Sequence, residues 1–503
     1  MELFSESQSH KLYQGNMLDM LEVIEPNSID AIVTDPPYEL NFMGKGWDNS
    51  GIAFQKETWE KCLKVLKPGG YLLAFGGSRT SHRIACAIED AGFEIRDTIM
   101  WLYGSGFPKS MNIGLAIDKK NGVESELGGV KPGHQDFVNR TTNGDTRFED
   151  GMSGFDRPWM HDDEKREAYH YEKLPTSEEA KRWQGFGTAL KPAYEPIIVA
   201  RKPCEGSCVD NVLKYGVGGI NIDECRVPIS ADDVDMLNAK SSKNPQPNTN
   251  DDKIYGKYDK NLATPANEQG RFPANVILTY DDTDFNEVCG GMPIGGANGT
   301  VSKAYDYKAD VFGDYKQKEP FDSYGDSGSA ARYFYCAKAS KRDRDEGCGM
   351  LPDTKRYQQG NYSQSPVCSV CGKTFNGTND HSLCGDHTMV YKSVEENTVR
   401  KNTHPTVKPC SLMQYLIRLV TPKGGTILDP FNGSGSTGKA AMYENVDRKA
   451  GYHYIGIELT PEYLPIADAR IRFALGDTSP VEYPSMLVSR PKAGGQISLF
   501  DIT

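Results

Sequence analysis

Two hydrophobic periods take turns along this chain. Near the start, "KLYQG" reads as a short strand and "NMLDMLEVIEPNS" as a helix closed by a turn. "IDAIV" is a nearly unbroken apolar run, the pattern of a strand covered on both faces. "ETWEKCLKVLKPGG" places Trp59, Cys62, Leu63 and Leu66 at helical spacing, and Pro68-Gly69-Gly70 is expected to end the helix. Strand "YLLAFGG", helix "SHRIACAIEDAGF" and strand "EIRDTIMWLYG" follow, and "YEPIIVARKP" returns as a strand further on. The C-terminal stretch has the same rhythm: helix "PCSLMQYLIRLV", strand "GGTILD", a glycine-rich turn into a helix, strand "YHYIGIEL" and helix "PEYLPIADARIRFA". Strands alternating with helices predict an α/β fold with a mostly parallel sheet. Periodicity alone leaves open whether the two ends form two domains or one sheet.

Between those ends the rhythm breaks. Residues 120–183 are rich in Gly, Asp and Glu and read as an irregular insertion. Residues 205–330 are polar and rich in Gly, Asn and Pro, with short apolar pieces such as "RFPANVILTY". "ARYFYCAKAS" is read as a strand, residues 352–400 hold a Cys/His cluster, and 480–503 read as a loosely held tail.

Composition narrows the class. The chain has 503 residues, 38% of them hydrophobic, and a net charge of −12, which suits a packed core carrying large polar insertions. No apolar run is long enough to span a membrane, and the N-terminus lacks a signal pattern, so a cytoplasmic location is expected. Twelve cysteines in such a chain are read as thiols or metal ligands. The acidic total does not favour nucleic acid as a partner, but phosphate binding depends on local surface rather than the sum.

Two stretches carry chemistry. In "VTDPPYEL" an apolar strand stops at Asp35, and Pro36-Pro37 makes a stiff corner that holds Asp35 and Tyr38. In "ILDPFNGSGSTGKAAM" a buried strand ends at Asp429, and Gly433, Gly435 and Gly438 lead into a helix, allowing a tight turn and close ligand approach. The order Gly438-Lys439-Ala440 excludes a phosphate-binding P-loop. A further strand ends in Glu458, about 20 residues beyond the glycines, where a carboxylate suits the hydroxyls of a ribose.

Together, "TDPPY", "DPFNGSGSTG" and "HPTVKP", in that order, resemble the S-adenosylmethionine-dependent amino-group DNA methyltransferases of the β arrangement. The likeness extends to "GNMLDML", "YGSGFPKSMNIG", "GTALKPAYEPIIVARKP" and "RYFYCAKASKRDRDEG", somewhat over half the chain. It implies a Rossmann-like methyltransferase sheet of about seven strands in permuted motif order, with "TILD" beside "AIVTD" and "YEPIIVARKP" at or next to its antiparallel strand. The expected segments are 1–119 (catalytic half), 120–183 (insertion), 184–204 (return strand), 205–330 (target recognition), 331–351 (return to the core), 352–400 (zinc insertion), 401–479 (cofactor half) and 480–503 (tail).

The resemblance also implies roles. Tyr38 stacks on a base flipped out of duplex DNA, while Asp35 and the Pro36 carbonyl, on the Pro36-Pro37 corner, accept hydrogen bonds from its amino group. Asp19 binds the adenine of the cofactor and Glu458 its ribose. Asp429 braces the turn Phe431, Asn432, Gly433, Ser434 and Gly435 around the methionine part, with Thr406 and Lys408 near the amino-acid end. Asp rather than Ser before the prolines favours adenine N6 over cytosine N4. A release-glutamine protein methyltransferase is disfavoured by motif order and by Asp where that group has Asn. An inactive DNA-binding relative is disfavoured by the intact motifs. Double-stranded DNA is the expected partner of a monomer or homodimer, acting alone or with a separate restriction endonuclease, in a bacterial or phage-infected cell.

"CSVCGKTFNGTNDHSLCGDH" gives Cys368-x2-Cys371 and, twelve residues on, Cys384-x2-His387, the spacing of tetrahedral Zn2+. His381 is the weaker fourth ligand. Cys204, Cys208 and Cys225, more loosely spaced, are read as thiols.

Overall fold

The computed structural model describes residues 2–40, 46–103, 110–131, 169–229, 269–279, 334–337, 343–351, 366–368, 389–391 and 402–477, with a few isolated positions besides. The chain divides into two compact units, one of 1–105, 193–351 and 404–503, the other of 106–192 and 352–403.

The strands of the first unit are β1 (Glu2–Glu6), β2 (His10–Gln14), β3 (Ile29–Thr34), β4 (Leu66–Phe75) and β5 (Glu94–Tyr103). Among the described residues the second unit holds two antiparallel strand pairs, β6 (Glu126–Val130) with β7 (Tyr171–Leu174), and β11 (Pro366–Cys368) with β12 (Met389–Tyr391). The first unit continues with β8 (Tyr194–Arg201), β9 (Val276–Thr279), β10 (Tyr335–Cys336), β13 (Thr426–Asp429) and β14 (His453–Glu458). Its single sheet runs β1-β2-β14-β13-β3-β4-β8-β5-β9-β10. Both ends of the chain therefore build one sheet, with Ile427 opposite Ala31 and Leu428 opposite Ile32 in parallel register. Among the described residues the sheet has ten strands where about seven were expected. The added ones lie at its margins: β1 is an antiparallel edge, and β9 and β10 extend the far side. β9 falls within 205–330, the stretch assigned from sequence to target recognition.

The strand "YEPIIVARKP" is β8, antiparallel to both β4 and β5. Its first residues thus lie at the same edge as the C-terminal ends of the parallel strands. Leaving the pair β3/β13, the chain winds from β3 towards β4 and from β13 towards β14. That makes the pair the switch point, outside which ligands bind in open α/β sheets.

Alternation along the strands explains the three layers. Ala31, Val33, Leu73 and Ile427 face one core, with the helices Cys410–Val420, Ser436–Arg448 and Leu464–Ala474. Ile32, Leu72, Leu428 and Ile457 face the other, with α1 (Met17–Val23), α2 (Lys56–Val65) and α3 (Ser81–Asp90). Helix α2 ends at Val65, earlier than Pro68 predicts, and the chain passes straight into β4. The residue before a proline avoids the helical region, which favours the early stop. Gly69, at φ +77°, lies against Asn211, whose amide donates to the Pro68 carbonyl at 2.9 Å. A Cβ there would lie 2.2 Å from that amide nitrogen, so only glycine fits.

Candidate active site

The site grows from two strand ends. β3 is buried throughout and delivers Asp35 to the sheet edge. Its last residue, Thr34, donates from Oγ1 to Asp429 Oδ1 at 2.7 Å. Asp429 ends β13 and also accepts from Thr437 Oγ1 (2.6 Å, to Oδ2) and the Phe431 amide (3.1 Å). Burial pushes its carboxyl up to about 6, against these donors. The Pro-Pro-Tyr loop and the glycine turn therefore leave neighbouring strands, tied at their bases.

The loop after Asp35 is held from outside. Asp48 Oδ1 accepts from the Glu39 amide (2.9 Å), and its Oδ2 accepts from the Leu40 amide (3.2 Å). These bonds support Glu39 at φ +55°. Thr80 Oγ1 donates to the Tyr38 carbonyl at 2.8 Å.

Asp35, Tyr38, Glu195 and Lys408 form one cluster. Lys408 Nζ donates to Asp35 Oδ2 at 2.6 Å and lies 3.3 Å from Glu195 Oε2. The Tyr38 hydroxyl donates to the same Glu195 oxygen at 2.8 Å. The Lys408 ammonium also sits 5.2 Å from the Tyr38 ring centre and 5.0 Å from that of Phe75, within cation–π range. Burial works against its charge, but Asp35 and Glu195 outweigh that and hold it at about 12. Burial, then Asp35 and Glu195, push the Tyr38 hydroxyl well above its ordinary value. Asp35 Oδ1 is buried with no hydrogen-bond partner among the described residues. A cavity of about 400 Å³ opens here, lined by Tyr38, Trp101, Glu195, Arg344, Thr406 and Lys408. Lys408, expected from sequence near the cofactor's amino-acid end, has its ammonium between Asp35 and Glu195.

On the glycine side, Glu458 ends β14 beside β2. Its carboxylate accepts the Gly433 amide on Oε2 (2.7 Å) and the Thr460 amide on Oε1 (2.8 Å). Burial raises it to about 7 in spite of both bonds. Asn432 Oδ1 accepts the Tyr454 hydroxyl at 2.7 Å. The Ser434 carbonyl accepts from Arg470, which is fully buried, at 2.8 Å. Gly433 and Gly435 have φ +51° and +73°. Cβ atoms there would lie 2.9 Å from His404 Nε2 and 2.8 Å from the Ala467 Cα. Packing against protein thus already demands glycine at both positions. Lys439 is fully buried, paired with Asp343 and with Glu346 (2.8 Å). His404 donates from Nδ1 to the Thr406 carbonyl, and burial pushes its imidazole down to about 3, so it is neutral. Asp19 is exposed in the first turn of α1, a helix capped by the Asn16 side chain. The preceding Gly15 amide donates to the Glu458 carbonyl at 3.0 Å.

Sequence reasoning missed Glu195, Asp48, Thr34 and Thr437. Only Thr34 had a signal, its place between a buried strand and Asp35. Among the described residues no cluster of three or more His, Cys, Asp or Glu is placed to hold a metal. Of the expected zinc ligands, Cys371, Cys384 and His387 lie outside the described residues, and Cys368 is described only as the end of β11. Cys204 and Cys208 bring their sulfurs to 3.9 Å, and Cys225 is buried in the core. No helix among the described residues is long and apolar enough to cross a membrane. Residues 239–268 and 280–333, most of the expected target-recognition stretch, also lie outside the described residues.

The family model described as DNA methylase, for N6 and N4 methyltransferases, matches residues 29–469, and the chain belongs to that family. The Type II methyltransferase M.HpaI of Haemophilus parainfluenzae is 35% identical over 109 residues, 20% of this chain and 34% of that protein. The Type II methyltransferase M.HinfI of Haemophilus influenzae is 34% identical over 92 residues, 18% of this chain and 24% of that one. The chain thus spans about a third or less of the length of these curated relatives. The PvuII DNA methyltransferase (cytosine-N4-specific) aligns over 93% of this chain and 90% of its own at 12% identity and a TM-score of 0.36, a likeness too loose to carry a role across.

Proposed function

We propose that the protein is an S-adenosylmethionine-dependent methyltransferase acting on the exocyclic amino group of a flipped base in duplex DNA, with adenine N6 as the target. The observation that carries this reading is the buried Asp35 Oδ1, which has no hydrogen-bond partner among the described residues and lies beside a cavity at the switch point with its other oxygen fixed by Lys408. An amino N–H is the donor such an oxygen lacks.

The residues present suit the cofactor. Ribose hydroxyls donating to Glu458 favour the ionised form that burial penalises. When bound, S-adenosylmethionine supplies a methyl group on a sulfonium. Asp35 then orients the amino group and stabilises the positive charge that grows on it, and Tyr38 offers a ring for stacking. The Glu195 bond fixes that ring's tilt. Cation–π contacts with the Tyr38 and Phe75 rings help hold the Lys408 ammonium beside the cavity. Asp before Pro36 favours adenine; cytosine N4 is the second reading, since the family covers both. The Cys/His set at 368–387 stays in this reading as a structural zinc site on its spacing alone. Residues 205–330 stay as the DNA-reading region on their interleaved Lys, Arg, Tyr and Asn.

Transfer of tritium from labelled S-adenosylmethionine to unmethylated genomic DNA tests the reading. Asp35→Ala is expected to lose transfer by about a hundredfold or more while still binding the cofactor. Equal transfer by native protein and variant would refute the assignment.

A further inference from the structure

The motifs give Glu195 no role, and the reading above gives it only the bond to the Tyr38 hydroxyl. It lies at the start of β8, and because β8 runs against its neighbours it reaches the edge where β3 ends. Its Oε2 accepts the Tyr38 hydroxyl and lies 3.3 Å from the Lys408 ammonium, which in turn binds Asp35 at 2.6 Å. The three charges alternate: carboxylate, ammonium, carboxylate. Without Glu195 the Asp35–Lys408 pair would be neutral. With it, the cluster carries one net negative charge beside the cavity.

That sign matters for the proposed reaction, on which this inference rests. The amino nitrogen's lone pair forms the N–CH3 bond as the CH3–S bond breaks and its electron pair returns to sulfur. Positive charge passes from sulfur to nitrogen, and the nitrogen then loses a proton to water. An uncompensated ammonium bonded to Asp35 would oppose that build-up. We infer that Glu195 is a positioning residue that offsets the charge of Lys408, so that Lys408 orients Asp35 without cancelling it.

Among the described residues the groups facing Lys408 are few. Asp35 and Tyr38 come from the loop after β3, Tyr103 from β5, Glu195 from β8 and His404 from its own segment, with Asp343 and Arg344 on the cavity wall. Tyr103 is pushed up to about 12, first by burial and then by Glu195, and His404 is held neutral. Near neutral pH, Asp35 and Glu195 are therefore the groups that hold the ammonium against burial. Removing the Glu195 charge lowers the value at which Lys408 titrates.

Two measurements test this. In the free protein, NMR titration of 13C-labelled lysines, with Lys408 assigned through Lys408→Arg, is expected to show no Lys408 titration up to pH ~10.5 in the native chain. Glu195→Gln should bring it down by about one unit or more. In single-turnover transfer from tritiated S-adenosylmethionine to unmethylated genomic DNA, Glu195→Gln is expected to be about tenfold slower at pH 7.5. Cofactor affinity should be unchanged by calorimetry, with Glu195→Asp retaining most of the rate. An unmoved Lys408 titration, or a Glu195→Gln rate equal to that of the native protein, overturns the inference. If the native protein transfers no methyl group at all, the proposed function fails, and the lysine titration still decides the charge role of Glu195.

Discussion

Thr34 Oγ1 donates to Asp429 Oδ1 at 2.7 Å, joining residues 395 positions apart in the chain. The bond closes the ends of β3 and β13 on each other. It explains how a proline corner near the N-terminus and a glycine turn near the C-terminus come to share one sheet edge. Local patterning made each strand; a buried polar bond between their last residues fixes where the two loops begin.

The pH dependence of the free protein follows from Glu458. Its folded value of about 7 lies above the ordinary 4.5, so ionisation costs the folded state. That stability is present below pH 4.5 and is lost as pH rises towards about 7. Asp429, raised from 3.8 to about 6, has the same sign over a lower window. Thermal unfolding is expected to show Tm falling between pH 5 and 7.5. Glu458→Gln should flatten the upper part of that fall and leave the part due to Asp429.

Cofactor binding reverses that sense. Hydroxyls donating to Glu458 require its ionised form, so affinity should rise by up to about tenfold per pH unit towards pH 7 and then level off. Calorimetry in two buffers of different ionisation enthalpy is expected to show proton release at pH 6, absent in Glu458→Gln.

Two glycines separate backbone conformation from packing. Gly51 has φ +74° and open space around a would-be Cβ; Gly435 has φ +73° and Ala467 within 2.8 Å. Gly51→Ala is expected to cost about 1 kcal/mol. Gly435→Ala adds a clash and should cost roughly 2–4 kcal/mol, read from urea unfolding.

Much of this fold was legible in the sequence because the strands of a doubly covered sheet are apolar runs, and the corners after β3 and β13 are written in Pro and Gly. Glu195 was not legible: only the antiparallel course of β8 brings its first residues to the edge where β3 ends. The charge partners of Lys408 were not legible either, since they come from β8 and the loop after β3. β10, two residues long, lies within "ARYFYCAKAS", which reads as a strand; β9 has four residues, and a short apolar piece in polar surroundings gives no period to read.

The Cys368, Cys371, Cys384 and His387 spacing predicts one Zn2+ per chain. Atomic emission on protein purified under reducing conditions should find it, and Cys371→Ser and Cys384→Ser should each lose most of it. Zinc-free native protein that still unfolds cooperatively would remove the metal from the account.

The central claim is amino methylation at the edge shared by β3 and β13. Its most direct test is mass spectrometry of nucleosides from unmethylated DNA incubated with the protein and CD3-labelled S-adenosylmethionine. The account predicts the label on N6-methyldeoxyadenosine. Label on carbon 5 of cytosine, or on no nucleoside while the cofactor is bound, would contradict it.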